Sequence, residues 1–231
     1  MKQCMMRKYK HQRGMTLVEL MIGLVLGLIV VSAVFNTYLG STRSARFSQG
    51  LQQMQENGRY GVATLQRGLR LAGYSAGGDL LPFDIAASDV DTVVVQTQGL
   101  YDCNGASTVS VGGIAVNTYT HDDVNDTITC TGNASATPTA MPIVEGVEAM
   151  RFLWGIDADS DGVPEQYQPY NIGIDPAQVV SMRVAILVNS GEPIRSRASE
   201  ETHVLLDVEV DSEIDKIARN VFTSTVLLRN R

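Results

Sequence analysis

The sequence MTLVELMIGLVLGLIVVSAVF, from Met15 to Phe35, is an almost unbroken apolar stretch. As an α-helix it would span roughly 30 Å, which is the thickness of a bilayer core. Five bases and no acid precede it, so the positive-inside tendency places its amino end in the cytoplasm. The stretch predicts a helix that spans the bacterial inner membrane once, with the rest of the chain in the periplasm.

Two residues distinguish this stretch from a plain membrane anchor. Glu19 lies inside it, where a carboxylate costs roughly 2.5 to 3.5 kcal/mol. Gly14 stands at the junction of basic and apolar sequence. The segment from Gln12 to Glu19, QRGMTLVE, resembles the type IV prepilin family, although that family usually has Phe where Met15 stands. The resemblance implies that prepilin peptidase cuts between Gly14 and Met15 and that Met15 is then N-methylated.

A charge pair between neighbouring subunits would give Glu19 a role. Cleavage would create an ammonium group at Met15 in apolar surroundings, and Glu19 of an adjacent subunit is a suitable counter-ion at low dielectric. Pairing between subunits would favour one register of the packed helices. The alternative is that Glu19 is an acid with no such role, near the start of the helix.

Apolar residues continue past the membrane at steps of three and four, which is typical of a helix with one buried face. They are Phe47, Leu51, Met54, Gly58, Val62, Leu65, Leu69 and Ala72. The pattern predicts one long helix from Thr16 to about Leu71, ended by Gly73. A separate helix after a break near Gly40 is the alternative. We therefore expect a leader at residues 1–14, a membrane or filament-core helix at 15–39, an amphipathic helix at 40–75 and a head at 76–231.

A narrower resemblance rests on QENGRY at residues 55–60 and on LRLAGY at residues 69–74. Both segments are similar to those of the PilW-type minor pilins, and the ending TVLLRN at residues 225–230 is similar to that family's last strand. Many of those proteins have an acid where Gly68 stands. The resemblance implies a minor-pilin complex that primes pilus assembly and sits at the tip.

Beyond Asp79 the pattern changes to alternating or β-branched runs separated by Gly, Asn, Asp and Pro. The predicted strands are residues 92–97, 109–119, 127–131, 148–155, 179–188 and 220–228. They predict an antiparallel sheet packed on the helix, and hence an α+β fold. Cys103 and Cys130 would both lie in an oxidising compartment, whereas Cys4 lies in the leader, so we expect a disulfide between the first two. A metal or redox pair is the alternative.

One loop has the residue types of a calcium site. Asp157, Asp159, Asp161 and Glu165 occupy the first, third, fifth and ninth places of DADSDGVPEQYQ, with Gly162 at the sixth, as in an EF-hand loop. The twelfth place is Gln168, where such a loop has a bidentate Glu. An exposed Asp-rich turn without metal is the alternative. No other cofactor is indicated.

Composition and motifs exclude some functions. The chain has a net charge of -7 although its leader is basic, so the head offers no basic surface for nucleic acid. No hydrolase, metalloprotease or phosphate-loop motif is present, which predicts that the chain is not an enzyme. Three hypotheses remain: a minor pilin, a type II secretion pseudopilin, or a single-pass membrane protein with a periplasmic binding domain. The expected partners are the prepilin peptidase, the major pilin, other minor pilins and the inner-membrane assembly platform.

Overall fold

The computed structural model describes residues 14–230. The predicted leader up to Arg13, with Cys4, lies outside the described residues. One α-helix, α1 (Leu17–Arg70, 54 residues), runs through Gly40 without a break, as the long-helix interpretation predicted. It is long and apolar enough to cross a membrane. By its contacts the chain divides after Arg46 into two units, of which the second contains the end of α1 and all the strands.

The head contains two four-stranded antiparallel sheets, where the sequence predicted one. The first has the order β1 (Thr92–Gln98), β2 (Ile114–Asp122), β3 (Thr127–Gly132), β4 (Met141–Glu145). The second has the order β10 (Ile217–Leu227), β7 (Val179–Pro193), β5 (Val147–Ile156), β6 (Gln166–Gln168). A hairpin of β8 (Thr202–Leu205) and β9 (Val208–Asp211) forms a third, small sheet.

The strand predicted at residues 109–119 is wrong in its first part. A 3₁₀ turn occupies Thr108–Val111, and β2 begins only at Ile114. Gly112 and Gly113 both have positive φ angles, 74° and 78°, which interrupt an extended chain. Four further strands, β4, β6, β8 and β9, were not predicted from the sequence.

The core lies between the sheets and the second part of α1. Met54, Leu65 and Leu69 of the predicted stripe are buried there, but Phe47 is 44% exposed, so the buried face begins later than expected. Across the head, Phe83 and Trp154 meet edge to face with ring centroids 5.0 Å apart. The hairpin forms a smaller cluster in which Leu205 packs with Ala185 and Leu187 of β7.

Candidate functional site

The predicted processing site leads directly into α1. Gly14 and Met15 are exposed, and Thr16 caps the helix because its hydroxyl accepts a hydrogen bond from the Glu19 backbone N–H at 3.2 Å. Glu19 therefore lies in the first turn, where the positive end of the helix dipole favours a carboxylate. Thr16 and Glu19 also have the spacing of a capping box. The structure thus places Glu19 four residues after Met15, at the amino end of an exposed apolar helix.

The QENGRY segment attaches α1 to the head through two of its residues. Asn57 donates a side-chain hydrogen bond to the backbone oxygen of Glu145, 3.0 Å away at the turn between β4 and β5. Gly58 faces Phe222 of β10 without room for a side chain. Arg59 and Tyr60 are exposed. One half of the motif therefore docks the helix, and the other half is open to solvent.

The other two segments that carried the narrower resemblance contact each other. The Asn230 side-chain amide donates to the backbone oxygen of Arg70, the last residue of α1, at 3.1 Å. Gly73 has a φ of +74° and lies so close to the Asn230 carbonyl that a Cβ there would be 1.9 Å from its oxygen. The end of α1 and the end of the chain are therefore held together.

Cys103 and Cys130 form a disulfide, with their Cα atoms 6.4 Å apart. The bond joins the loop after β1 to β3. Asp102, which is buried, accepts hydrogen bonds from the backbone N–H groups of Asn104, Ala106 and Ala134. The disulfide and this carboxylate together fix the loop on the first sheet.

The predicted calcium loop brings its four acids together. One carboxylate oxygen from each of Asp157, Asp159, Asp161 and Glu165 lies within 4.8 Å of the others. Asp157 is buried and accepts from the Gly162 N–H at 2.8 Å, while Glu165 accepts from the Ala158 N–H at 2.7 Å. These are the hydrogen bonds of an Asp-rich turn, and the oxygens that make them are also of the type that calcium prefers.

Each of the two histidines of the head has a ring nitrogen near an oxygen atom of the protein. His121 Nε2 lies 2.8 Å from the backbone oxygen of Val147. His203 Nε2 lies 3.9 Å from a carboxylate oxygen of Glu201 in the hairpin region. In the part of the chain that the structure describes, neither histidine has a hydrogen bond to a Ser, Thr or Cys side chain.

The geometry defines a class: a protein whose exposed apolar N-terminal helix continues into a head of antiparallel sheets. The N-terminal part matches the prokaryotic N-terminal methylation motif over residues 9–35, and the head matches the type IV pilus-assembly protein W model over residues 114–230. The chain belongs to this PilW family and is a minor pilin of type IV pilus assembly. The predicted resemblance, fold class and pilus function are confirmed.

Other comparisons add less. A solved type IV-like pilin from Thermus thermophilus is similar with a TM-score of 0.45 and 14% identity, over 78% of this chain and 97% of that chain. No curated protein matches the sequence. The family match begins at residue 114, so residues 55–60 and 69–74, on which the narrower resemblance chiefly rested, lie outside it, whereas residues 225–230 lie inside.

Proposed function

We propose that the chain is a membrane-anchored prepilin that is cut between Gly14 and Met15, methylated at Met15 and incorporated into a minor-pilin complex that primes the pilus and occupies its tip. This proposal is supported chiefly by the spacing of residues at the start of α1. Met15 precedes a capped helix whose first turn holds Glu19, and the helix beyond is apolar and exposed. The proposed orientation places the head in the periplasm, because the bases precede the apolar stretch.

In this proposal the new amino group of Met15 pairs with Glu19 of a neighbouring pilin. An ammonium group and a carboxylate attract each other strongly where water is excluded. Each charge is costly to bury alone, so the pair would favour one register of the packed helices. The proposed partners are the prepilin peptidase, the major pilin, other minor pilins and the assembly platform of the inner membrane. The prediction that the chain is not an enzyme is consistent with a structural family.

Glu19→Gln tests the pairing. The variant should be processed and stay in the membrane fraction, but its amount in sheared pili should fall at least about tenfold because the ion pair is lost. Glu56→Gln is the matched control, since Glu56 is exposed on the same helix. Equal amounts of Glu19→Gln and wild type in pili would contradict the proposed pairing.

Deletion of the gene tests the machine that the subunit serves. Surface pili should be lost, while secreted hydrolases should reach the medium at normal levels. Loss of hydrolase secretion with intact pili would instead support the pseudopilin hypothesis.

A further inference from the structure

A groove with a cavity volume of about 950 Å³ opens on the head. Gln53 and Asn57 of α1 line one side of it, and the ends of β2 to β5, part of β7 and the segment from β9 to β10 line the rest. Seven carboxylates from three separate segments also line the groove: Asp122, Asp126, Glu145, Glu148, Asp211, Glu213 and Asp215. Among the lining residues within 14–230, Arg219 is the only Lys or Arg. Seven carboxylates and one cation leave the lining with a formal excess of six negative charges.

Arg219 is already engaged by two of these acids. Its side chain is only 5% exposed, and it contacts Glu148 at 2.5 Å and Asp215 at 2.6 Å. For the other five carboxylates, no ion pair with Lys or Arg occurs between residues 14 and 230. The groove therefore has negative charge beyond what its own cation neutralises.

Asp126 and Glu148 are neighbouring acids of the groove. Burial and the neighbouring Glu148 carboxylate both raise the pKa of Asp126. The Asn189 side-chain amide donates to Glu148 at 2.9 Å and to Asp126 at 3.4 Å, so a neutral amide bridges the two acids. A cation bound in the groove would interact favourably with both carboxylates.

Thr127 provides a second, independent indication of a ligand. Its strand neighbours Ile128 and Cys130 point into the core, so the alternation of β3 directs Thr127 and Thr129 to the opposite face, which lines the groove. Thr127 is only 8% exposed. The Thr129 hydroxyl donates to the Thr120 backbone oxygen, whereas within residues 14–230 the Thr127 hydroxyl has no hydrogen-bond partner. The Thr127 hydroxyl oxygen is not one of the buried unpartnered atoms of the described residues, so it is open to the groove and free to form a hydrogen bond there.

The spacing of the acids distinguishes two kinds of cationic ligand. A divalent metal ion needs oxygens that converge on one point, as they do in the loop of Asp157 and Glu165. Among the described residues, that loop is the only place where three or more such ligand atoms converge. The carboxylates of the groove therefore do not converge on one point. Carboxylates distributed along a cavity instead fit several separate cationic side chains.

We propose that this groove docks a segment of a partner protein that carries two or more Lys or Arg side chains. The cationic side chains would pair with the acids that Arg219 leaves unpaired, and one would donate a hydrogen bond to the Thr127 hydroxyl. The inference goes beyond the pilin function and rests on the head alone. It does not depend on cleavage at Gly14 or on the role of Glu19.

The full chain in uncharged detergent micelles tests the proposal, with fluorescently labelled hexalysine as the probe and hexaglutamate as its control. Hexalysine should bind in a salt-dependent way, measured by fluorescence anisotropy. The double variant Glu145→Gln and Glu213→Gln should weaken binding at least about tenfold, because two charge pairs are lost. Neither side chain has a hydrogen bond or ion pair in the described chain, so the fold should be retained.

The matched control is Glu200→Gln with Glu209→Gln, which removes the same charge from exposed residues outside the groove lining. It should change hexalysine binding less than about twofold. Thr127→Val should weaken binding about three- to tenfold, since it removes one hydrogen bond. The proposal is overturned if wild type does not bind hexalysine or if both double variants weaken binding equally. The proposal is also overturned, in favour of a metal site, if calcium displaces hexalysine from wild type but not from the Glu145→Gln, Glu213→Gln variant.

Discussion

Gly58 of α1 lies against the ring of Phe222 on β10, so closely that a Cβ added at Gly58 would be 2.2 Å from the Phe222 Cε2 atom. Glycine in a helix interior normally costs about 1 kcal/mol relative to alanine. Here the missing side chain lets the helix approach the second sheet. Gly61 is similarly close, 2.9 Å from the Ile186 Cδ1 atom by the same construction. Close packing of α1 on the head therefore depends on glycines in the helix.

Gly58→Ala should destabilise the head by about 1 to 3 kcal/mol, because the clash with Phe222 outweighs the better helix propensity of alanine. Thermal unfolding of the full chain in detergent micelles measures the effect. Gly40→Ala is the matched control, since nothing lies within 4 Å of its added Cβ, and it should be neutral or stabilising. Phe222→Leu in the Gly58→Ala background should restore part of the loss. An unchanged midpoint in Gly58→Ala would show that the ring moves away freely.

Loss of the disulfide should destabilise the head substantially. Cys103→Ser with Cys130→Ser opens a loop with a sequence separation of 27 residues. The chain-entropy model then gives a loss of about 3.6 kcal/mol as an upper-end expectation. The melting temperature of wild type should fall in dithiothreitol to that of the double variant, which itself should not respond to the reductant. A wild-type melting temperature that ignores full reduction would contradict this role.

The ion pair between Arg151 and Asp207 predicts a pH-dependent attachment of the hairpin to β5. Arg151 donates two hydrogen bonds to the Asp207 carboxylate, at 2.9 and 2.8 Å, and these chiefly lower the pKa of Asp207. A lowered pKa means that the pair stabilises the fold above the unfolded-state pKa and that this contribution is lost as pH falls through the folded-state pKa. Asp207→Asn should therefore cost about 1 kcal/mol at pH 7 and almost nothing near pH 2.

Thermal unfolding of wild type and Asp207→Asn at both pH values measures this difference. Asp79→Asn, at an exposed residue, is the control and should have no effect at either pH. A deficit of Asp207→Asn that persists undiminished near pH 2 would show that its cause is not the charge.

Calcium should bind the acidic loop only weakly. Three of its four acids are exposed, backbone N–H groups already use carboxylate oxygens of the loop, and Gln168 stands where an EF-hand loop has Glu. We expect a dissociation constant of about 1 mM or weaker, so 1 mM calcium should stabilise the fold by about 0.4 kcal/mol or less. Isothermal titration of wild type and of Asp159→Asn with Asp161→Asn checks this. Micromolar binding that the double variant abolishes would contradict it.

The sequence predicted the helix, most strands and the disulfide because each depends on local pattern or cell compartment. It missed β4 because Pro142, the second residue of that strand, usually marks a turn, yet β4 is an edge strand and tolerates a proline. It missed the hairpin because Leu206, with a positive φ of 59°, makes a turn without the usual glycine or asparagine.

The groove could not be predicted from the sequence for a different reason. Glu148 and Asp215 are far apart in the chain and come together through the pairing of β5, β7 and β10. Asp126 lies between β2 and β3 of the other sheet and reaches β5 through a hydrogen bond from the Val147 N–H to its backbone oxygen, 2.8 Å long. The acidic loop, by contrast, is one short segment, and its acids were recognisable by spacing alone. Sites assembled from distant strands require the topology.

We propose that the chain is a prepilin processed at the start of α1. The most direct test is the intact mass and amino-terminal sequence of the protein from its host's membrane fraction, with and without prepilin peptidase. We expect a peptidase-dependent start at Met15, one methyl group heavier than the unmodified residue. If the protein has the same unprocessed amino terminus, before Gly14, with and without prepilin peptidase, the chain is not a processed prepilin and its helix is a plain membrane anchor.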